Sequence, residues 1–420
     1  MWNSNIYQDQ DLKQNDINIE LHELNGFESS DEESNIGLIK SEVIHSSSSS
    51  SFSFPCQRLQ RLKNLVTFNS KSSSSSSKSK SNYIYLIMGL NLIILFIISI
   101  IISIKSTSPI IKPIIFWKDY LHSNNQLQNL KANNLNNLIN YKTHLNSNET
   151  SSETYPIHSH NDYWRSIPLF NALELGINSV EADVWYLPTI NSNELYVGHK
   201  KLLLSQYKTL DSLYLSNLET LLDELNQQHI TNGLFNGVLK NSSKTLNLII
   251  DIKTNANETF NQVLSQLKPF IDKNYLTFYD STTKEWEIGP LTIHISGNIP
   301  YELIKSQEKR YTFIDSKLDS PEFQKQYNNE LSIFTSSSLK NLIRSKPNND
   351  GLTQEQLDIL EDKFHTAQTM GIKTRIWDIP NHQNNQRDEI TMDLLKIGVD
   401  MINCDDLKNC IKLLKEFKEI

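Results

Sequence analysis

Five residues between positions 160 and 251 could do chemistry together. Glu181 and Asp183 stand two positions apart in the apolar run SVEADVW. Strand geometry puts both carboxylates on one side of the backbone. Unpaired carboxylates inside a fold are expensive, and a hard divalent cation removes that cost, because Mg²⁺ and Ca²⁺ prefer oxygen donors. Asp251, near the end of the strand-like run TLNLIIDIK, is the natural third ligand, with Lys253 two residues on. His160 and His199 flank the pair in sequence. Imidazole exchanges protons near neutral pH, so one can remove a proton while the other delivers one. The bland alternatives are surface carboxylates, a salt bridge from Asp251 to Lys253, and structural histidines.

Such residues need a frame, and the sequence after Tyr155 supplies one. Short β-type runs (YPI, SVEADVW, ELYVGH, TLNLIIDIK, LTIHIS, RYTFID, LSIFTS, KTRIW, DMINC) are interleaved with helical periodicity in LFNALELG, LETLLDELNQQ, TFNQVLSQLKPFIDK, TQEQLDILEDKFHTAQTMG and EITMDLLKIG. Alternating strands and helices imply βα units and a parallel sheet. About eight strands fit an α/β (β/α)8 barrel, a TIM barrel, better than a doubly wound sheet. Nor does the sequence carry the Gly-rich phosphate turn of the doubly wound folds. In a barrel, functional side chains come from the C-terminal ends of strands. Those ends here carry His158 and His160, Glu181 and Asp183, Asp251 and Lys253, His294 and Ser296, then Asp315, Ser336, Trp377, and Asn403 with Asp405.

The barrel accounts for residues 153–420; the preceding sequence is of other kinds. Residues 1–82, with the acidic Asp31-Glu32-Glu33 and runs of serine, bury too little apolar surface to fold and read as a disordered tail. Residues 83–104 carry no charge over about 22 positions, the length that spans a hydrocarbon core of about 30 Å. They read as a single transmembrane helix. The modest excess of Lys and Arg before it places the N-terminus in the cytoplasm and the barrel in a lumen or outside the cell. Sequons at Asn148, Asn241 and Asn257 all follow the span and agree with that orientation. Residues 105–152, rich in Asn, read as a stalk with a short helix around Leu127–Ile139.

Charge narrows the partners. With 40 Lys+Arg against 48 Asp+Glu, a net charge of -8 and no basic stripe, nucleic acid is excluded as the main partner. Three cysteines, Cys56, Cys404 and Cys410, exclude a disulfide-rich scaffold and a four-cysteine zinc site. Cys404 and Cys410 could pair in an oxidising lumen or remain reduced thiols.

The order His160, Glu181-Ala182-Asp183, His199 resembles the glycerophosphodiester phosphodiesterase and phospholipase C-like superfamily, where a His-Arg-Gly turn, a Glu-x-Asp pair and a second His follow in that order. Leu248-Ile249-Ile250-Asp251-Ile252-Lys253 resembles the next block, and Trp377 and Gly398-Val399-Asp400 resemble the closing blocks. The membrane-anchored layout, with His158-Ser159-His160-Asn161-Asp162-Tyr163 and Ile295-Ser296-Gly297-Asn298, is closer still to the fungal altered inheritance of mitochondria protein 6 family. The resemblance implies Glu181, Asp183 and Asp251 as ligands of one Mg²⁺ or Ca²⁺, and His160 and His199 as general acid and base. It implies Lys253 and Asn161 at the phosphate and Trp377 at the substrate mouth. The implied activity is hydrolysis of a phosphoric diester, lipid-derived or glycerophosphodiester-like. Two departures stand out: Asn161-Asp162 replaces Arg-Gly, which removes a phosphate-binding guanidinium, and Asp251 replaces a usual Glu. Two other readings compete. The His158-x-His160 pair could hold zinc in an amidohydrolase or polymerase-histidinol-phosphatase barrel, or the barrel could be an inactive binding module.

Overall fold

A computed structural model describes residues 89–90, 92–97, 115–116, 119, 126–147, 153–226, 235–241, 243–380 and 384–419. The proposed tail, 1–82, lies outside the described residues. Of the proposed membrane span, residues 89–90 and 92–97 are described, as helix with exposed apolar side chains. No helix among the described residues is long and apolar enough to cross a membrane.

The strands in chain order are β1 (Tyr155–Ser159), β2 (Ile177–Tyr186), β3 (Leu195–Val197), β4 (Leu246–Ile252), β5 (Phe278–Asp280), β6 (Glu285–Glu287), β7 (Leu291–Gly297), β8 (Lys309–Arg310), β9 (Thr312–Lys317), β10 (Phe334–Ser338), β11 (Lys373–Trp377) and β12 (Met401–Cys404). The order β1-β12-β11-β10-β9-β7-β4-β2, closed by the β1–β2 pairing, is an eight-stranded parallel barrel of TIM type. Helices α1 (Gln126–Asn146), α2 (Phe170–Glu174), α3 (Ser216–Leu225), α4 (Ala256–Asp272), α5 (Tyr301–Lys305), α6 (Phe323–Gln326), α7 (Leu339–Ile343), α8 (Gln354–Thr369), α9 (Asn384–Lys396) and α10 (Leu407–Glu419) lie between or beside them.

Alternation along the strands builds two environments. In β4, Leu246, Leu248, Ile250 and Ile252 belong to the main apolar core, while Asn247, Ile249 and Asp251 take the opposite face. In β2, Val180, Ala182 and Val184 do the same against Ser179, Glu181 and Asp183. The helices meet this core with stripes of helical spacing, such as Phe260, Val263, Leu267 and Phe270 of α4. Asn255 caps α4 by accepting from the Glu258 amide, and a Thr353–Gln356 capping box starts α8.

Two features differ from the sequence expectation. The ELYVGH run is a strand, but β3 pairs antiparallel with β2 through Val184↔Val197 and Tyr186↔Leu195, outside the barrel. The reason is that β2 runs on past the barrel rim and offers an edge there. A three-stranded antiparallel sheet β6-β5-β8 also interrupts the βα series. Within the stretch read as a stalk, α1 is longer than the expected helix, and Tyr141 near its end is buried, its hydroxyl donating to the Val238 carbonyl at 2.6 Å. Ile115 and Phe116 pack with Leu187, Tyr196 and Leu204 in a second small cluster. Asn148 lies outside the described residues; Asn257 is exposed on α4 and Asn241 is partly covered.

Candidate active site at the carboxylate mouth of the barrel

Parallel register sets the centre of the site. Asp183 pairs with Asp251 across β2 and β4, and Asp251 with Ser296 across β4 and β7. One oxygen from each of Glu181, Asp183 and Asp251 lies within 4.8 Å of the others. Among the described residues, this is the group of carboxylate, imidazole or thiol donors close enough to share an ion. Glu181 and Asp183 are buried and Asp251 is half-buried. Gly297 holds Asp251 in place: its φ is +70°, and a Cβ there would lie 2.2 Å from Asp251 Oδ1.

The first strand-to-helix turn clamps the pair from one side. Asn161 takes the left-handed conformation (φ 47°, ψ 43°) that asparagine tolerates. This points its backbone N–H at Glu181 Oε2, 2.7 Å away. Its side-chain amide touches His160 and the Tyr163 hydroxyl, and that hydroxyl donates to Asp183 Oδ2 at 2.8 Å. Beneath the turn, fully buried Asp162 accepts from Ser159 (2.7 Å), the Leu169 amide (2.6 Å) and Tyr214 (3.1 Å). Burial raises its carboxyl, with these donors working against the rise.

The two expected histidines flank the carboxylates. His160 Nε2 lies 4.0 Å from Glu181 Oε2, and its Nδ1 bonds Asp405 Oδ1 at 2.8 Å. Burial works to lower its pKa, but the Asp405 bond and the charges of Glu181 and Asp405 outweigh burial and raise it. His199 Nδ1 lies 3.2 Å from Asp183 Oδ2, with its ring edge-on to Trp164 at 5.6 Å. Lys253 bridges Asp183 and Asp251 at 3.2 Å to each. Crowding shows in the charges: burial lifts Asp251 to about 6, with Lys253 opposing and Asp183 and Glu181 adding to the rise. Burial would also raise Glu181, but the facing imidazoles of His158 and His160 and the Arg375 guanidinium outweigh it and hold the group low.

The H-x-H pair is split between two environments. His158 is fully buried, with Nδ1 on Ser179 Oγ at 2.8 Å, and burial together with Arg375 brings it down to about 4. His160 stands at the mouth with three-tenths of its side chain exposed. Trp377 is exposed at the end of β11, on the same rim.

Four residues given no role from sequence belong to this arrangement. Arg375 lies inside the barrel and pairs with Asp315 at 2.7 Å, with Asn403 at 2.7 Å and Ser336 at 3.3 Å completing its contacts. Tyr163 reaches Asp183, and Trp164 walls His199. Arg165 donates to Ser159 Oγ and to the carbonyls of Cys404 and Asp405, so it does not replace the guanidinium lost at Asn161. Cys404 and Cys410 form a disulfide, closing the loop that carries Asp405. Strand alternation placed Arg375 on the same face as Trp377; nothing local in sequence marks its partner.

A family model described as an AIM6-like phosphodiesterase domain matches residues 147–315. That span holds both flanking histidines, the three carboxylates and Lys253. Altered inheritance of mitochondria protein 6 of Eremothecium gossypii is 35% identical over 266 residues, 60% of this chain and 67% of that protein. The protein of the same name from Kluyveromyces lactis is 34% identical over 302 residues, covering 60% and 70%. In Saccharomyces cerevisiae strain S288c it is 34% identical over 276 residues, covering 60% and 69%. No solved structure matches.

Proposed function

The chain belongs to the altered inheritance of mitochondria protein 6 family, and on that premise we propose that it is a metal-dependent phosphoric diester hydrolase. The observation that carries this reading is the three-carboxylate cluster with an imidazole at each end. The cluster suits a hard cation. Its donors are all oxygen, and Asp251 Oδ1 is buried with no aligned hydrogen-bond donor, only the Lys253 ammonium nearby. Glu181, Asp183 and Asp251 would hold Mg²⁺ or Ca²⁺. When bound, the ion would polarise a phosphoryl oxygen and offset the charge that develops on it.

The remaining chemistry falls to the chain itself. His160 and His199 lie against opposite members of the Glu181–Asp183 pair, so a diester between them would meet one imidazole on the attacking side and one on the leaving side. One takes the proton of the attacking hydroxyl, from water or from the substrate's own alcohol. The other returns a proton to the departing alkoxide. Lys253 adds positive charge beside the phosphate, Asn161 fixes Glu181 and the first imidazole, and Trp377 lines the approach. Residues 83–104 would hold the enzyme beside a bilayer, where a lipid-derived diester is at hand; the exposed Leu92, Ile93 and Phe96 support this.

The test is turnover of a diester panel by the full-length protein with added Mg²⁺ or Ca²⁺. His160→Ala and His199→Ala should each lower kcat at least ~10²-fold, the usual contribution of a general acid or base, with the fold intact by circular dichroism. A chelator should abolish the wild-type rate. Turnover unchanged in both variants, or indifferent to chelation, would refute the proposal.

A further inference from the structure

A cavity of about 790 Å³ opens at the C-terminal ends of β4, β7 and β9, next to the carboxylate cluster. The two share a wall, because Gly297, which lines the cavity, is the residue packed on Asp251 Oδ1. Resting on the diesterase reading, a phosphate held at the cluster would carry one of its two alcohol parts into this space. The lining therefore reports what that alcohol is.

The lining mixes polar with apolar groups, among them Ile299 and Ala256, and carries one charge. Of its polar side chains, the Thr254 hydroxyl is taken up by the Tyr186 amide and Thr259, Asn255 Oδ1 by the Glu258 amide and Asn298 Nδ2 by the Thr254 carbonyl. The Asn255 N–H groups, Asn298 Oδ1, the Ser320 O–H and the Gln326 amide remain to face a ligand, and Lys317 is the sole ionic residue. Lys317 ends β9, two residues after the inward-facing Asp315, so strand alternation directs it to the mouth of the barrel. It makes no ion pair among the described residues, whereas Lys253 is engaged by Asp183 and Asp251. Of the acids next along the chain, Glu322 pairs with Lys325, and Asp319 is exposed and accepts from the neutral Asn341 amide; among the described residues neither forms an ion pair with Lys317. The aromatic walls do not make a cage for a cation. Tyr327 is buried, and the Tyr301 ring already has the Lys305 ammonium over it at 5.4 Å, while its hydroxyl donates to the Gln326 carbonyl.

From the cavity we infer that the alcohol part recognised here is a polyhydroxylated group bearing a second negative charge, such as a phosphorylated polyol. Quaternary ammonium and other cationic head groups are disfavoured. The Ser320 hydroxyl and the remaining amide atoms of Asn255, Asn298 and Gln326 satisfy the polyol, and Lys317 supplies the charge-assisted contact to its anion. The same chemistry is found in a lipid head group and in the soluble diester left after deacylation.

The test uses full-length protein with Mg²⁺ or Ca²⁺ and three substrates. Bis(p-nitrophenyl) phosphate asks only whether diesters are cleaved. Glycerophosphoinositol 4-phosphate and glycerophosphocholine ask which alcohol is preferred. The anionic polyol diester should be favoured in kcat/KM. In Lys317→Gln that preference should fall about tenfold, mostly through KM, as expected for loss of one charged hydrogen bond at a part-exposed site. Lys325→Gln, which removes an equal charge from the adjoining surface of α6, should leave the preference unchanged. Preference for the choline diester, or a ratio indifferent to Lys317→Gln while the nitrophenyl diester is cleaved, overturns the inference alone. If no diester is cleaved, the hydrolase reading fails. Calorimetric binding of inositol 1,4-bisphosphate then decides the cavity: about tenfold weaker binding in Lys317→Gln supports it, and no binding by wild type overturns it. Equal turnover of phosphatidylinositol 4-phosphate in vesicles assigns the lipid source, and turnover of the soluble diester alone assigns the free one.

Discussion

Gly297 offers a way to disturb the carboxylate cluster without touching a ligand. A Cβ at this position would lie 2.2 Å from Asp251 Oδ1 and 2.6 Å from the Ile252 carbonyl oxygen, and φ is +70°. Gly297→Ala therefore combines left-handed strain with a clash that Asp251 must relieve by moving. Gly398 provides the matched control: its φ is +85°, and a Cβ there meets nothing within 4 Å. Left-handed strain alone costs about 1–2 kcal/mol for a residue with a Cβ. Gly398→Ala should lose that much in urea unfolding, and Gly297→Ala more, because its Cβ also meets the Ile252 carbonyl. Only Gly297→Ala should also lose affinity for Mn²⁺ or Ca²⁺ in calorimetric titration, by about 10–100-fold, the usual penalty when a ligand's support is removed. Diester turnover should fall with it. Equal metal affinity in the two variants would refute the placement of Asp251 as a ligand, because its displacement would then have no consequence.

Two further predictions concern groups around the cluster. Asp405→Asn removes the carboxylate bonded to His160 Nδ1 and one of the charges that raise this imidazole. The pH–rate limb belonging to His160 should move to lower pH and kcat should fall by ~10-fold or more; an unmoved limb would show that Asp405 does not position His160. His294, fully buried and bonded to Asn247 Oδ1 at 3.0 Å, is driven by burial and by Arg375 down to about 3, so it stays neutral in the fold. Its unfolded form binds a proton below about 6.5 and the folded form does not, so stability is lost as pH falls from there. Between pH 7 and pH 5 the wild type should lose about 2 kcal/mol more than His294→Phe in urea unfolding, and equal losses would refute the burial argument.

The parts of this site legible in sequence were those that strand alternation alone reveals. Glu181-x-Asp183 and Asp251 stood out because polar residues at period two within apolar runs must share a face, and the barrel turns that face inward. The same rule could not distinguish β3 from a barrel strand, since period two is common to parallel and antiparallel pairing and only the length of β2 decides. Arg375 shares a strand face with Trp377 in KTRIW, but nothing local marks it as buried. Its burial depends on Asp315, sixty positions away, which no local pattern connects to it. The Cys404–Cys410 pairing was open for a similar reason: a spacing of six permits a disulfide or two thiols, and the turn from β12 into α10 settles it. Asn161 was marked as a substitution for arginine, but its left-handed backbone and its N–H bond to Glu181 are properties of the folded turn.

Replacement of that arginine has a consequence for how an anion could be held. The guanidinium that the resemblance leads one to expect is absent at Asn161, and that of Arg165, on the same turn, is spent on Ser159 and the carbonyls of Cys404 and Asp405. Arg375 is deeper, paired with Asp315 and Asn403. Lys253 is shared between Asp183 and Asp251, so its charge is largely cancelled before any phosphate arrives. In the proposed reading, the three carboxylates without an ion would repel a diester, and binding of the substrate would follow binding of the cation. On that reading the cation would supply most of the attraction at the phosphate, and contacts beyond it would set the preference among diesters. Lys317, in no ion pair among the described residues and lining the adjoining cavity, is placed to supply them. On the proposed reading, Asn161 in place of an arginine and Lys317, in no ion pair among the described residues, would be parts of the same electrostatic arrangement. On the same reading it would favour substrates that carry a second negative charge on the alcohol.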